Sequence, residues 1–162
     1  LKTDMNLTYL ISVFIHIISA AFWIGGMLFL PLVLLPGIKN HPDRLLLLQE
    51  TGIRFRFIGW ITLLILSITG VLNMYLKGLP LTWDYLTHSN YGNLLSIKII
   101  LFIVMLVIGG IHDFYIGQKS IEEMKVTDNS SLKQMARWSG RINILLALII
   151  AFIGVVLSRG GF

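Results

Sequence analysis

The chain has 162 residues, of which 56% are hydrophobic and 13% are charged, and its mean hydropathy is +0.81. Soluble domains are about 45–50% apolar and about 25% charged, so this composition excludes an ordinary soluble protein and indicates an integral membrane protein. The net charge is +5. The sequence contains no cysteine, and this excludes disulfides, thiolate metal sites, iron–sulfur clusters and covalently attached haem.

Four segments of the chain are long and apolar enough to cross a membrane. A hydrocarbon core about 30 Å thick takes about 20 helical residues, and such stretches lie near residues 7–35, 57–76, 94–116 and 138–158. Inside lipid, every backbone polar group must be satisfied within the fold. We therefore predict an all-α fold, an integral membrane antiparallel four-helix bundle that forms a single domain over residues 1–162. The stretch "PDRLLLLQ", residues 42–49, predicts a separate helix along the membrane surface.

Basic residues concentrate in the first and third connections between spans. These connections and their flanks carry Lys39, Arg44, Arg54, Arg56, Lys119, Lys125, Lys133, Arg137 and Arg141. The opposite side carries only Lys2, Lys77 and Arg159. Because Lys and Arg beside membrane spans stay in the cytoplasm, we predict a multi-pass protein of the cell's inner (cytoplasmic) membrane with both termini outside. The charge is thus explained by topology, and we expect no nucleic-acid partner.

A polar stripe runs along the first span. Helical spacing aligns Ser12, His16, Ser19, Trp23 and Gly26 on one face of an otherwise apolar helix. An imidazole in hydrocarbon is costly unless its ring nitrogens are satisfied. We therefore predict that His16 binds a partner, which is either a ligand or, in the simpler interpretation, a carbonyl or serine of a neighbouring helix.

The third span carries a second face of this kind, on which a lysine, an aromatic residue, a methionine and a histidine follow at helical spacing. The fourth span presents small or polar residues at the same spacing, and small residues let membrane helices approach closely. The two sets are Lys98, Phe102, Met105 and His112 on span three, and Gly140, Asn143, Ala147, Ala151, Gly154 and Ser158 on span four. Together these faces predict a cavity or a flat ligand.

Structural interpretations of the same residues stay open. Lys98 lies about two turns inside its span, so its long side chain could also extend to the headgroups. The pair His112 and Asp113 is also typical of a hydrated interface. Methionines such as Met27 and Met105 commonly fill gaps in apolar cores.

A b-type haem held between two helices needs two axial donors at nearly equal depth. Counted from residues 7 and 94, His16 is nine residues deep, Lys98 four and His112 eighteen. At about 1.5 Å per residue, His16 and Lys98 differ by about 8 Å, and His16 and His112 differ by about 14 Å. A lysine side chain covers much of the smaller difference, so we predict His16 and Lys98 as iron ligands, with His112 as the fallback ligand. The side chains predicted to wall the porphyrin are Trp23, Phe102 and Met105.

Two family resemblances rest on these residues. The stretch "HIISAAFWIGGMLFLP", residues 16–31, resembles the first helix of the HemJ-type membrane protoporphyrinogen oxidases. That resemblance implies a small four-helix protein that binds b-type haem through a first-helix histidine and a third-helix lysine, here His16 and Lys98. The stretches "RFRFIGWITLLILSITGVLNMYL" and "YGNLLSIKIILFIVMLVIGGIHDFYIGQK" resemble the copper-resistance protein D (CopD) family, through the Arg-Phe opening, the pair Thr69-Gly70 and the His-Asp-Phe of residues 112–114. This second resemblance implies a role in copper uptake.

Taken together, the patterns favour a haem b membrane protein with a redox role, which passes electrons between a membrane donor such as quinol and another acceptor. CopD-like copper transport or resistance is the alternative, and protoporphyrinogen oxidation, which would make the protein an enzyme, is a further one. The expected cofactor is haem b, with copper as the alternative. The expected partners are the lipid bilayer and a quinone or redox protein, and self-association stays open.

Overall fold

The computed structural model describes residues 2–116 and 130–161, and these fold into helices. The α-helices are α1 (Lys2–Phe29), α2 (Leu35–Gly37), α3 (Arg44–Leu76), α4 (Trp83–His88), α5 (Asn90–Ile111) and α6 (Ser130–Ser158), with π-helical segments at Leu30–Leu34 and His112–Ile116. Four stretches are long and apolar enough to cross a membrane: Leu7–Gly37, Arg44–Leu76, Asn90–Phe114 and Arg137–Ser158. The predicted fold class is therefore confirmed as an all-α protein with four apolar helices suited to a membrane bundle.

The second span is longer than predicted. Its helix begins at Arg44, about four turns before the expected start near residue 57. The stretch 42–49 is therefore not a separate surface helix, because most of it forms the first turns of α3. No proline interrupts the chain between Arg44 and Leu76, so one helix continues from the polar stretch into the apolar one.

Pro31 changes the geometry of the first span near its end. The chain passes from α1 into the π-helical segment Leu30–Leu34, which has the proline in its first turn. Proline has no backbone N–H to donate and its ring crowds the preceding turn, so the regular α-helical ladder is interrupted there. The span nevertheless continues through α2 to Gly37.

The chain divides into two compact units. The first unit, Leu1–Leu81, contains α1 and α3, which pack against each other. Three pairs of facing residues show that the two helices are antiparallel: His16 faces Thr69, Trp23 faces Gly59, and Gly26 faces Phe55. We call this contact the α1–α3 seam.

The second unit, Thr82–Phe162, contains α5 and α6, and α4 packs on α5. The Thr82 side chain accepts from the backbone N–H of Tyr85 and so caps α4, and Ser89 caps α5 by accepting from the N–H of Gly92 at 2.9 Å. Both caps satisfy donors that a helix start leaves unpaired.

The register between α5 and α6 is constant along their length. Facing positions are Tyr91 with Gly161, Lys98 with Gly154, and Gly109 with Asn143. Residue numbers on the two helices run in opposite directions by equal steps, so α5 and α6 are antiparallel. The buried residues Met105 and Ala147 occupy matching positions in this register, which we call the α5–α6 seam.

Candidate functional site

His16 lies in the α1–α3 seam. Its Nδ1 is 2.8 Å from the hydroxyl oxygen of Thr69 on α3. The ring also faces Gly70, where a Cβ would lie 3.5 Å from Cε1 of the imidazole. A hydroxyl of the neighbouring helix therefore pairs with one ring nitrogen, and the ring packs beside Gly70 at a distance that a Cβ there would keep as ordinary van der Waals contact.

The hydrogen bonds of Thr69 determine which nitrogen of His16 carries the proton. The Thr69 hydroxyl donates to the backbone carbonyl of Ile65 at 2.7 Å, within the same helix. A hydroxyl has only one proton, so when the Thr69 hydroxyl donates to Ile65 its oxygen accepts from Nδ1 of His16, the assignment that pairs all three groups. Nδ1 of His16 is therefore the protonated nitrogen, and in the neutral ring the lone pair is on Nε2. This is the tautomer of a histidine that binds a metal through Nε2 while its Nδ1–H is held by a neighbour.

The α1–α3 seam is polar for several turns around this histidine. Its buried polar side chains include Ser12 and Ser19 on α1, and Thr62 and Thr69 on α3. The predicted wall residue Trp23 is buried in the same seam, where its ring stacks on Phe55 with centroids 5.7 Å apart and planes inclined by 10°. The indole thus takes part in packing α1 against α3.

Some buried polar atoms in the described parts of the chain have no hydrogen-bond partner there. In the first unit these are Oγ of Ser12, Nε1 of Trp23 and Oδ1 of Asn73, and in the second unit Oδ1 of Asn143. Buried polar atoms in native proteins are nearly always paired, with protein or with bound water. The α1–α3 seam therefore combines an ordered histidine with polar atoms that can still bind something.

Lys98 extends across the α5–α6 seam. Its Nζ would lie 3.3 Å from a Cβ at Gly154, the residue that directly faces Lys98 in the register of the two helices. The Lys98 amine therefore lies at the same depth along α5 as the backbone of Lys98. It does not follow the helix towards its end, as extension to the headgroups would require.

His112 forms a second contact of the same kind as His16. Its Nδ1 is 2.7 Å from Oγ of Ser139 on α6, and Ser139 in turn donates to the carbonyl of Met135 at 2.9 Å. Each unit therefore holds a histidine in hydrogen-bond contact with a hydroxyl on the paired helix.

The remaining predicted site residues lie in the second unit. Met105 is 3% exposed and is part of the α5–α6 seam, whereas Phe102 is half-buried. Lys98 and His112 belong to this unit as well, while His16 and Trp23 belong to the first. Haem ligation by His16 and Lys98 therefore stays a prediction.

Sequence reasoning missed the two hydroxyls that orient the histidines. Thr69 was noted only as part of a family resemblance, and Ser139 not at all. The available signal was a hydroxyl residue within an apolar helix, since such a side chain must bond to a carbonyl or to a neighbouring helix. That signal does not tell which helix face meets the histidine.

The described residues hold no group of three or more His, Cys, Asp or Glu side chains that could bind a metal ion together. The nitrogen and sulfur donors in these residues are instead spread along the helices, as His16 and Met27 in the first unit and as Met105 and His112 in the second.

The chain is similar to a family and to two individual proteins. Residues 49–157 match the family model of Copper resistance protein D, CopD. An uncharacterized protein of Aquifex aeolicus (strain VF5) is 32% identical over 149 residues, which cover 91% of this chain and 93% of that protein. Copper transport protein CutJ of Bacillus subtilis (strain 168) is 33% identical over 133 residues, which cover 82% of this chain and 23% of CutJ. No solved structure matches.

The family match covers most of the chain. It begins within α3, includes the Thr69 hydroxyl, all of α5 and His112, and ends in the last turn of α6. The chain belongs to the CopD family.

Proposed function

We propose that this protein transports copper ions across a membrane. The observation that carries the proposal is the similarity to CopD over residues 49–157, together with the similarity of 82% of the chain to a copper transport protein. The chain spans only 23% of CutJ, so the copper transport of that protein comes to this chain only as a proposal.

The donors inside the helices support this proposal. The sequence has no cysteine, so imidazole and thioether groups are the soft ligands that it offers to copper. His16 is held in the tautomer that carries the lone pair on Nε2, and Met27 is buried in the same unit. A transported ion must also dissociate, so several weak binding sites in succession suit transport better than one site of high affinity. The spread of donors along the helices is consistent with that requirement.

Haem binding by His16 and Lys98 is the second candidate function. The observation that favours it is the position of the Lys98 amine, which is held against Gly154 within an apolar span. Ionisable groups in such positions are costly and are commonly functional. The redox role, with quinol or a redox protein as partner, and protoporphyrinogen oxidation belong to this candidate.

A flux measurement on the purified full chain tests the proposal. Reconstituted into lipid vesicles, the wild-type protein is expected to raise Cu⁺ influx at least tenfold over protein-free vesicles, with little effect on Zn²⁺. His88→Ala is the matched control, because His88 is an exposed residue of α4. Influx equal to that of protein-free vesicles would refute copper transport.

The absorption spectrum of the same preparation tests the second candidate. Protein made with haem supplied during expression would show a Soret band, with sharp α and β bands on reduction, if haem were ligated by two residues. These bands would be lost in His16→Ala and altered in Lys98→Ala. We expect no such bands. Their presence would contradict the copper proposal and would support haem binding as the function.

The orientation in the membrane is also a proposal. The distribution of Lys and Arg places both termini and the connection between α3 and α5 on the outer side of the cytoplasmic membrane. Because the chain has no cysteine, single cysteines can report the side. In intact cells, a membrane-impermeant maleimide is expected to label His88→Cys and not Lys39→Cys, and the reverse result would invert the topology.

A further inference from the structure

Ser12 differs from several hydroxyl residues of the long helices. Thr62, Ser67, Thr69 and Ser158 each donate to a carbonyl three or four residues earlier in their own helix. The hydroxyl of Ser12 makes no such bond and has no partner among the described residues, although the side chain is only 3% exposed. The Ser12 hydroxyl is therefore buried on the face of α1 that carries His16, with its hydrogen-bonding capacity unused in the described part of the chain.

Asn73 supplies a second unpartnered oxygen at the same level of the seam. His16 contacts Thr69, and because α1 and α3 are antiparallel, a step of four residues along each helix leads from that pair to Ser12 and Asn73. The step corresponds to about one helical turn, or about 6 Å. Oδ1 of Asn73 is buried and has no hydrogen-bond partner among the described residues.

The chemistry of the two oxygens selects the class of ligand. The Ser12 hydroxyl can donate one proton and accept others, while Oδ1 of Asn73 only accepts. Burying both groups without partners is unfavourable. A small molecule that accepts from one oxygen and donates to the other removes this cost. Water meets the requirement and needs only two to four polar partners to stay bound inside a protein.

The site is close to one end of the helix pair. Asn73 lies three residues before Leu76, the last residue of α3, and its backbone carbonyl accepts from the N–H of Lys77 at 3.1 Å. Three residues correspond to about 4.5 Å along the helix. His16, at the level of Thr69, is one further turn inside.

We propose that the α1–α3 seam binds a water molecule between Ser12 and Asn73, and that this water hydrates the side of the seam next to His16. The water accepts from the Ser12 hydroxyl and donates to Oδ1 of Asn73. It lies about one helical turn from His16, on the side of the seam that leads to the end of α3. The proposal concerns hydration only and holds whether or not the protein transports copper.

Solid-state NMR of the full chain in phosphatidylcholine bilayers tests the proposal. With histidine labelled by ¹³C and ¹⁵N, the initial rate of magnetisation transfer from water to the His16 ring measures how close water approaches. The double variant Ser12→Ala, Asn73→Leu is expected to lower this rate at least threefold. Ser19→Ala is the matched control, because Ser19 is equally part of the buried face of α1 but lies on the other side of His16, and it is expected to keep the wild-type rate.

Two further measurements keep the test decisive. The single variant Ser12→Ala removes one oxygen with little change of volume and is expected to lower the rate as well, while the ¹⁵N shift of Nδ1 shows that the contact with Thr69 is intact. Equal transfer rates in the wild type and both Ser12 variants would overturn the proposal. A transfer rate that changes when Na⁺ in the buffer is replaced by K⁺ would assign the site to a cation and would also overturn it.

Discussion

His16→Ala is expected to lower Cu⁺ influx into vesicles to the level of protein-free vesicles, because the variant removes the imidazole of the α1–α3 seam. Thr69→Val is expected to lower the influx about 10–100-fold, the usual effect of removing the group that orients a metal-binding histidine. Valine has the shape of threonine without its hydroxyl. It would leave Nδ1–H of His16 without its acceptor and would no longer hold the proton on that nitrogen.

The matched control for this prediction is Thr69→Ser. Serine retains the hydroxyl that accepts from His16 and donates to Ile65, so influx is expected to stay within about twofold of the wild type. Wild-type influx in Thr69→Val would show that the tautomer of His16 plays no part in transport. Influx lost equally in both Thr69 variants would indicate damage to helix packing instead.

Gly26→Ala combined with Gly59→Ala is expected to separate α1 from α3. A Cβ at Gly59 would lie 2.6 Å from Cζ3 of Trp23, and a Cβ at Gly26 would overlap the ring of Phe55. These two rings are stacked on each other, so neither can move without displacing the other. Overpacking of this kind typically costs about 1–3 kcal/mol at each position. We expect the double variant to lose most of the monodisperse protein that the wild type yields in detergent after mild heating.

The same two helices provide matched controls. Gly25 is the neighbour of Gly26 and Gly52 precedes Gly59 on α3, and an added Cβ meets nothing within 4 Å at either position. The double variant Gly25→Ala, Gly52→Ala is expected to survive heating at least as well as the wild type, since alanine favours the helix over glycine. Equal survival of both double variants would show that the close approach at Trp23 and Phe55 does not hold the two helices together.

Most of the fold could be predicted from the sequence, because long apolar segments in lipid have few conformations other than helices. The ends of the segments were harder to place. Arg44 begins a helix that was expected to start near residue 57, since charged residues can continue a helix beyond the membrane without any change of backbone geometry. Pro31 disturbs the first span, because proline alters the backbone whatever surrounds it.

The candidate site was predictable only in part. The positions of His16 and Lys98 within apolar spans singled them out, because ionisable groups there are rare. Their partners were not predictable, since Thr69 and Gly154 are residue types common in membrane helices. Only the register of the packed helices shows that these two residues face His16 and Lys98. The preferred haem function has no support in the similarities of the chain, whereas the copper alternative does.

The sequence by itself determined that this is a membrane protein with four apolar spans and without thiol ligands, because those properties depend on composition and length. Only the tertiary structure decided that Nδ1 of His16 contacts the hydroxyl of Thr69. That decision rests on a hydrogen bond between residues 53 positions apart, and such a bond depends on how α1 and α3 are rotated and aligned against each other. Helix rotation and register arise from side-chain packing along the whole seam, so no local pattern around His16 contains them.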